Sequence, residues 1–139
     1  MDPLLASMKI AGSGLQAQSL RLRLVSENLA NVESTGKSAG SDPYRRRSVS
    51  FSNELDRASG VTLVKADEVI ARQDSYRLEY RPGHPAADAA GYVKLPDVNM
   101  IVEMADMRQA NRSYESNLQV IKQAREMISM TIDLLRSQG

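Results

Sequence analysis

The sequence predicts a mainly α-helical fold with a small β-stranded or irregular middle, its N- and C-terminal helices pairing as a coiled coil. Two heptad-spaced apolar stripes, one near each end, predict the helices. A stretch between them rich in turn residues and short β-branched runs predicts the middle. Composition points the same way. Apolar residues make up 42% of the chain but aromatic ones only 4%, so the core must come from Leu, Ile, Val, Met and Ala. Aromatic side chains supply the largest single buried areas, and a compact monomer this poor in them would be thinly packed. Long helices and partner chains are the expected compensation. At 139 residues there is room for one ordinary domain.

The first element lies within residues 1–36. With Met8, Leu15, Leu22 and Leu29 at heptad position a, position d holds Leu4, Ala11, Gln18, Val25 and Val32, and only Gln18 is polar. Such a narrow stripe is expected of a coiled-coil seam. Asn31-Val32-Glu33-Ser34-Thr35-Gly36 is expected to end the helix, with Gly36 as a left-handed cap. Gly12 and Gly14 each cost roughly 1 kcal/mol relative to Ala, so the early turns are expected to order only on packing.

The middle spans residues 37–96. Lys37 to Asp42 reads as linker, and Tyr44 to Phe51 as an extended segment. Val61–Val64 and Val69–Tyr80 suit short strands. Arg81-Pro82-Gly83-His84-Pro85 is a turn, and Gly91 to Pro96 leads into the last helix. The segment is too small and polar to bury a substantial core alone.

The last element lies within residues 97–139, starting beside Pro96 and Asp97. Met100, Met107, Tyr114, Ile121, Ile128 and Leu135 recur at seven-residue spacing, and Met104, Leu118 and Ile132 form a companion stripe that also carries Asn111 and Arg125. About 40 helical residues would extend roughly 60 Å. Asn111 fits a register-fixing polar residue on the seam, and Arg125 can snorkel to its edge. Met100, Met104 and Met107 suit either seam packing or an adaptable binding face. The longer helix keeps surplus apolar surface, which requires other copies or other proteins.

Several chemistries are excluded. Without Cys there are no disulfides, thiolate zinc sites, iron–sulfur clusters or cysteine nucleophile, and a lone His leaves no His pair for a metal. A net charge of +1 argues against a dedicated nucleic-acid binder. Met1-Asp2-Pro3-Leu4-Leu5 does not open a cleavable secretory signal, and no apolar run approaches a membrane span. Arg45, Arg46 and Arg47 are the only local charge bias. They read as a solvated loop or a contact with acidic groups on a partner, since a phosphate site needs a wider basic field. His84 reads as a turn residue, and Asp67, Glu68 and Asp74 fit no EF-hand spacing and read as surface charge. Gly12-Ser13-Gly14 lacks the Lys-Ser/Thr of a P-loop. No catalytic, cofactor-binding or metal-binding residues are expected. The seams alone leave two readings open, a polymerising structural subunit and a helical adaptor or secretion-chaperone-like binding module.

Ser13-Gly14-Leu15-Gln16-Ala17-Gln18, Ser26-Glu27-Asn28-Leu29-Ala30-Asn31-Val32 and Thr35-Gly36 resemble the N-terminal signature of the bacterial flagellar rod and hook proteins. The far end is similar to that family's closing helix. Asp42-Pro43-Tyr44-Arg45-Arg46, the run Gly91 to Met100, and Glu103-Met104-Ala105-Asp106-Met107 resemble its short proximal-rod branch and set the chain apart from the similarly short FlgB. The resemblance implies a non-enzymatic structural subunit of the basal-body rod, exported unfolded by the flagellar type III apparatus without signal cleavage. It implies terminal helices packed as the inner coiled-coil layer of a helical tube, with the middle in an outer layer, in the rod that transmits torque through the periplasm. The implied partners are FlgB, FliE, FlgF, other copies of the chain, the MS ring and the export apparatus, with no membrane insertion. On this reading Met8, Leu15, Leu22, Leu29, Met100, Met104, Met107, Tyr114, Leu118, Ile121 and Ile128 line subunit interfaces, and Arg45–Arg47 form a loop contact.

Overall fold

A computed structural model describes residues 2–139. The order of elements is α1 (Pro3–Ala30), β1 (Arg47–Asp56), β2 (Val61–Ile70), β3 (Tyr76–Tyr80), β4 (Tyr92–Pro96) and α2 (Met100–Ser137). Two terminal helices with a small β middle match the fold class expected from the sequence. β1 and β2 form one two-stranded sheet, and β3 and β4 another. Val61–Val64 opens a ten-residue strand, Val69–Tyr80 is divided between the end of β2 and β3, and Gly91–Pro96 holds a strand rather than a simple lead-in to the helix.

Two compact units share these elements. One comprises residues 1–20, 51–67 and 109–139, the other residues 21–50 and 68–108. Each takes part of both helices and part of the middle.

In the first unit the buried side chains are small. Ala11, Ala17, Ala110 and Ala124 are all buried, as is Gly14. Gly14 lies against Asn117, where an added Cβ would come within 2.7 Å of the side-chain amide nitrogen. The helix-weakening glycine is therefore what allows α2 to approach. The distal half of β1 and the start of β2 meet at a turn over residues 57–60, closed by Gly60 N–H donating to the Asp56 carbonyl at 2.7 Å. Gly60 adopts φ +72°, which side chains rarely tolerate.

The second unit holds the larger buried side chains. Leu24 and Val25 of α1 are buried, as are Ala86, Val93, Leu95 and Val98 of the middle and its approach to α2. The middle thus relies on helix residues for its core, as its size required. β3 and β4 run antiparallel with Tyr80 opposite Tyr92, their rings edge-on at 5.3 Å. Val93 and Leu95 alternate inward along β4, with Lys94 between them half-buried.

The end of α1 differs from expectation. The helix stops at Ala30, and Gly36 does not adopt a left-handed conformation. Asn31 accounts for the stop. Its Nδ2 donates back to the Glu27 carbonyl at 2.8 Å, and its Oδ1 accepts from Ser34 Oγ at 2.9 Å. Side-chain bonds of this kind compete with continued helix. Gly36 serves a close approach instead, since a Cβ there would collide with Ser41.

Candidate functional site

The most elaborate side-chain arrangement lies in the second unit and centres on Asn28. This residue is fully buried. Its Oδ1 accepts from Tyr44 Oη at 2.8 Å and from Arg47 N–H at 2.9 Å. Its Nδ2 donates to the Arg47 carbonyl at 2.6 Å and to Glu103 Oε2 at 3.3 Å. An amide side chain offers two acceptor sites and two donors, and here all are used. The Asn28 amide grips both backbone groups of Arg47, the first residue of β1, much as a neighbouring strand would.

Glu103, only 1% exposed, receives its second partner from Arg46 Nε. Arg47 pairs with Glu27 and Glu68, each at 3.4 Å. Burial pushes the Tyr44 hydroxyl above its ordinary pKa, with Arg47 opposing. Arg21 pairs with Asp106 across α1 and α2. The contacts Arg21 to Asp106 and Asn28 to Glu103 advance along α1 while retreating along α2, so the helices pair antiparallel here.

Arg46 and Arg47 are half-buried rather than fully solvated. Their acidic partners are within the chain, and Arg47 opens a strand. Arg45 is the exposed member of the run, with a 3.5 Å hydrogen bond to the Ala71 carbonyl.

The residues proposed for a seam fall into two groups. Met8, Leu15, Leu22, Leu29, Met107, Tyr114, Leu118, Ile121 and Ile128 are half-buried within the chain, whereas Met100 and Met104 are exposed. The most buried stripe of α2 runs one residue ahead of the expected companion stripe, through Glu103, Ala110 and Ala124, with half-buried Asn117 between them. Asn111 and Arg125 are both exposed, so neither occupies a buried seam in the chain, and Asn28 is the fully buried asparagine. Small or polar stripe residues carry no apolar signal, and for that reason the sequence reading chose the Met and Leu positions.

The last turns of α2 carry apolar side chains that no other described residue covers. Met127, Met130, Leu134 and Leu135 are all exposed, the last at 67%. The first turn repeats this, with Ile101 80% exposed beside Met100 and Val102.

Elsewhere, charges are used internally. The open cleft bounded by Asp42, Arg72, Gln73, Asp74, Tyr76 and Lys94 pairs Arg72 with Asp74 at 3.4 Å and Lys94 with Asp42 at 3.3 Å. Hydrogen bonds from Gln73 and then Lys94 hold the Asp42 carboxyl below its ordinary pKa. His84 Nδ1 accepts from Ala86 N–H at 3.0 Å, a turn-closing role. Asp67 is exposed, while Glu68 and Asp74 belong to ion pairs already described. Among the described residues no group of acids and histidine is placed to hold a metal, and no helix is long and apolar enough to cross a membrane.

Residues 89–134 match the family model described as flagellar basal body rod FlgEFG protein C-terminal. The chain is 58% identical to the flagellar basal-body rod protein FlgC of Agrobacterium fabrum over 137 residues, covering 99% of each chain. It is 42% identical to the FlgC of Salmonella typhimurium, covering 94% of this chain and 97% of that one. The FlgC of Borreliella burgdorferi is 34% identical, over 96% of this chain and 98% of its own. The chain belongs to the FlgC family of flagellar basal-body rod proteins.

Proposed function

As a member of that family the chain, we propose, is a structural subunit of the proximal rod of the bacterial flagellar basal body, and it transmits torque through the periplasm. The observation that carries this is the 58% identity to a flagellar basal-body rod protein across nearly the whole chain. The family is one of rod proteins and not a class of enzymes. Uncovered apolar side chains at both ends of α2 support the mechanical part of the reading. Buried in an assembly, each leucine or methionine contributes about 1.5–3 kcal/mol, and interlocked seams resist sliding under torsion. Met8, Leu15, Leu22 and Leu29 of α1, with Met100, Met104, Met107, Tyr114, Leu118, Ile121 and Ile128 of α2, line such contacts between subunits in a helical tube. Arg45 supplies the loop contact. Neighbours are other copies, FlgB, FliE and FlgF, with the MS ring around them. The export apparatus delivers the chain without signal cleavage.

The test is the pair Leu134→Asp and Leu135→Asp in a strain lacking its own copy of the protein. Both positions are exposed in the single chain, so its fold should tolerate the change. Burying two unpaired carboxylates in an assembly costs several kcal/mol. Export should be normal and rods absent. Normal rods and motility would overturn the reading, and a stable soluble complex with a non-rod partner would favour the adaptor.

A further inference from the structure

We infer that Asn28, Arg46 and Glu103 form a lock that sets the register of α1 on α2. The need for one is visible in α2 itself. Its most buried stripe consists of Glu103, Ala110, Asn117 and Ala124, spaced by heptads, with polar and alanine positions alternating. A slip of seven residues would set alanine where Glu103 or Asn117 stands, so the polar members of the stripe distinguish one register from the next. α1 buries Ala11, Gly14 and Ala17, with Gly14 fitted against Asn117, and Leu24 and Val25 beside Asn28.

Glu103 is the charged member of the stripe. In the observed register its two carboxylate oxygens are met by Asn28 and Arg46, and the amide of Asn28 has no unused capacity. A slip of one heptad would set Asn28 opposite Ala110. Glu103 would then lose Asn28, and Arg46 would leave with it, since the adjacent Arg47 backbone is held by Asn28. A buried carboxylate without partners is strongly unfavourable, whereas an apolar residue at the same place would be indifferent to the slip. The three residues are positioning residues that select a register. The first Asn of the Asn28-Leu29-Ala30-Asn31 run thereby ties the two helices and the start of β1 to one alignment.

The full chain contains no Cys, so paired cysteines report register cleanly. Gly14→Cys/Asn117→Cys reports the observed alignment, where a Cβ at Gly14 lies against the Asn117 side chain, and Gly14→Cys/Asn117→Ala/Ala124→Cys reports the one-heptad slip. Both are oxidised in the purified full chain, with isotope-mixed samples separating links within a chain from links between chains. The Gly14–Asn117 contact is replaced in both reporters, in every background alike. With the three residues intact, the native link should exceed the slipped link by about tenfold or more. In the triple variant Asn28→Leu, Arg46→Leu, Glu103→Leu the two should come within about threefold, while the urea midpoint falls because Tyr44 and the Arg47 backbone lose Asn28. If the triple variant lacks helical circular dichroism, Asn28→Leu alone carries the comparison, with the ratio falling about threefold. An unchanged link ratio in a folded variant would overturn the lock, as would equal links in the parent. So would a lowered midpoint without added slipped link, which would make the cluster structural only.

Discussion

Gly14 decides how near α2 can come in the first unit. Its missing Cβ is replaced by the Asn117 amide, which an added carbon would meet at 2.7 Å. Gly14→Leu should therefore destabilise the chain by about 1–3 kcal/mol despite the better helix propensity of Leu. Asn117→Ala on top of it should restore at least half, a coupling that urea titration of the two single variants and the double variant would read. Lys9 and Asp56 make a second local test. Hydrogen bonds from Lys9 and then Ser59 lower the Asp56 pKa from 3.8 to about 2. A depressed carboxyl contributes stability above its unfolded pKa and loses it on acidification through the folded one. This pair should therefore act fully above about pH 4 and fade as the pH falls towards 2. Carboxyl NMR should place the Asp56 midpoint near 2, and Lys9→Met should move it back towards 3.8, with Ser59 holding part of the shift. A midpoint near 3.8 in both proteins would contradict the pairing.

Elements are joined by single side chains as well as by packed faces. Ser13 Oγ donates to the Ile10 carbonyl at 2.7 Å and accepts from Val64 N–H in β2 at 3.0 Å. Ser13→Ala should cost about 0.5–1.5 kcal/mol and speed exchange of the Val64 amide roughly five- to tenfold, readable by NMR hydrogen exchange. Exchange at Val64 unchanged from the parent would remove this link. The helices were legible because apolar residues recur at heptad spacing, and Met100, Met107, Tyr114, Ile121, Ile128 and Leu135 lie on one helix. The face that α2 buries most deeply was not legible. Ala110 and Ala124 give little hydropathy contrast, and Glu103 reads as surface until Arg46 and Asn28 are brought to it from distant sequence. The arginine run was visible as a charge cluster, but its partners Glu27, Glu68 and Glu103 carry no local signal. The rod resemblance rested on local runs such as Asn28-Leu29-Ala30-Asn31, which sequence preserves directly.

For the whole molecule, cover is uneven. Val93 and Leu95 are completely buried, while the last turns of α2 leave Met127, Met130, Leu134 and Leu135 in solvent. A helix whose apolar face is unpacked is marginal in water, so these turns should complete their folding only when a neighbouring subunit covers them. Hydrogen exchange with mass spectrometry on the dilute free chain and on isolated basal bodies tests this most directly. In the free chain β4 and the adjoining parts of both helices should be protected, and residues 127–137 should exchange rapidly. In the basal body the same residues should become protected. Strong protection of residues 127–137 in the dilute free chain, or rapid exchange there within the rod, would contradict the account.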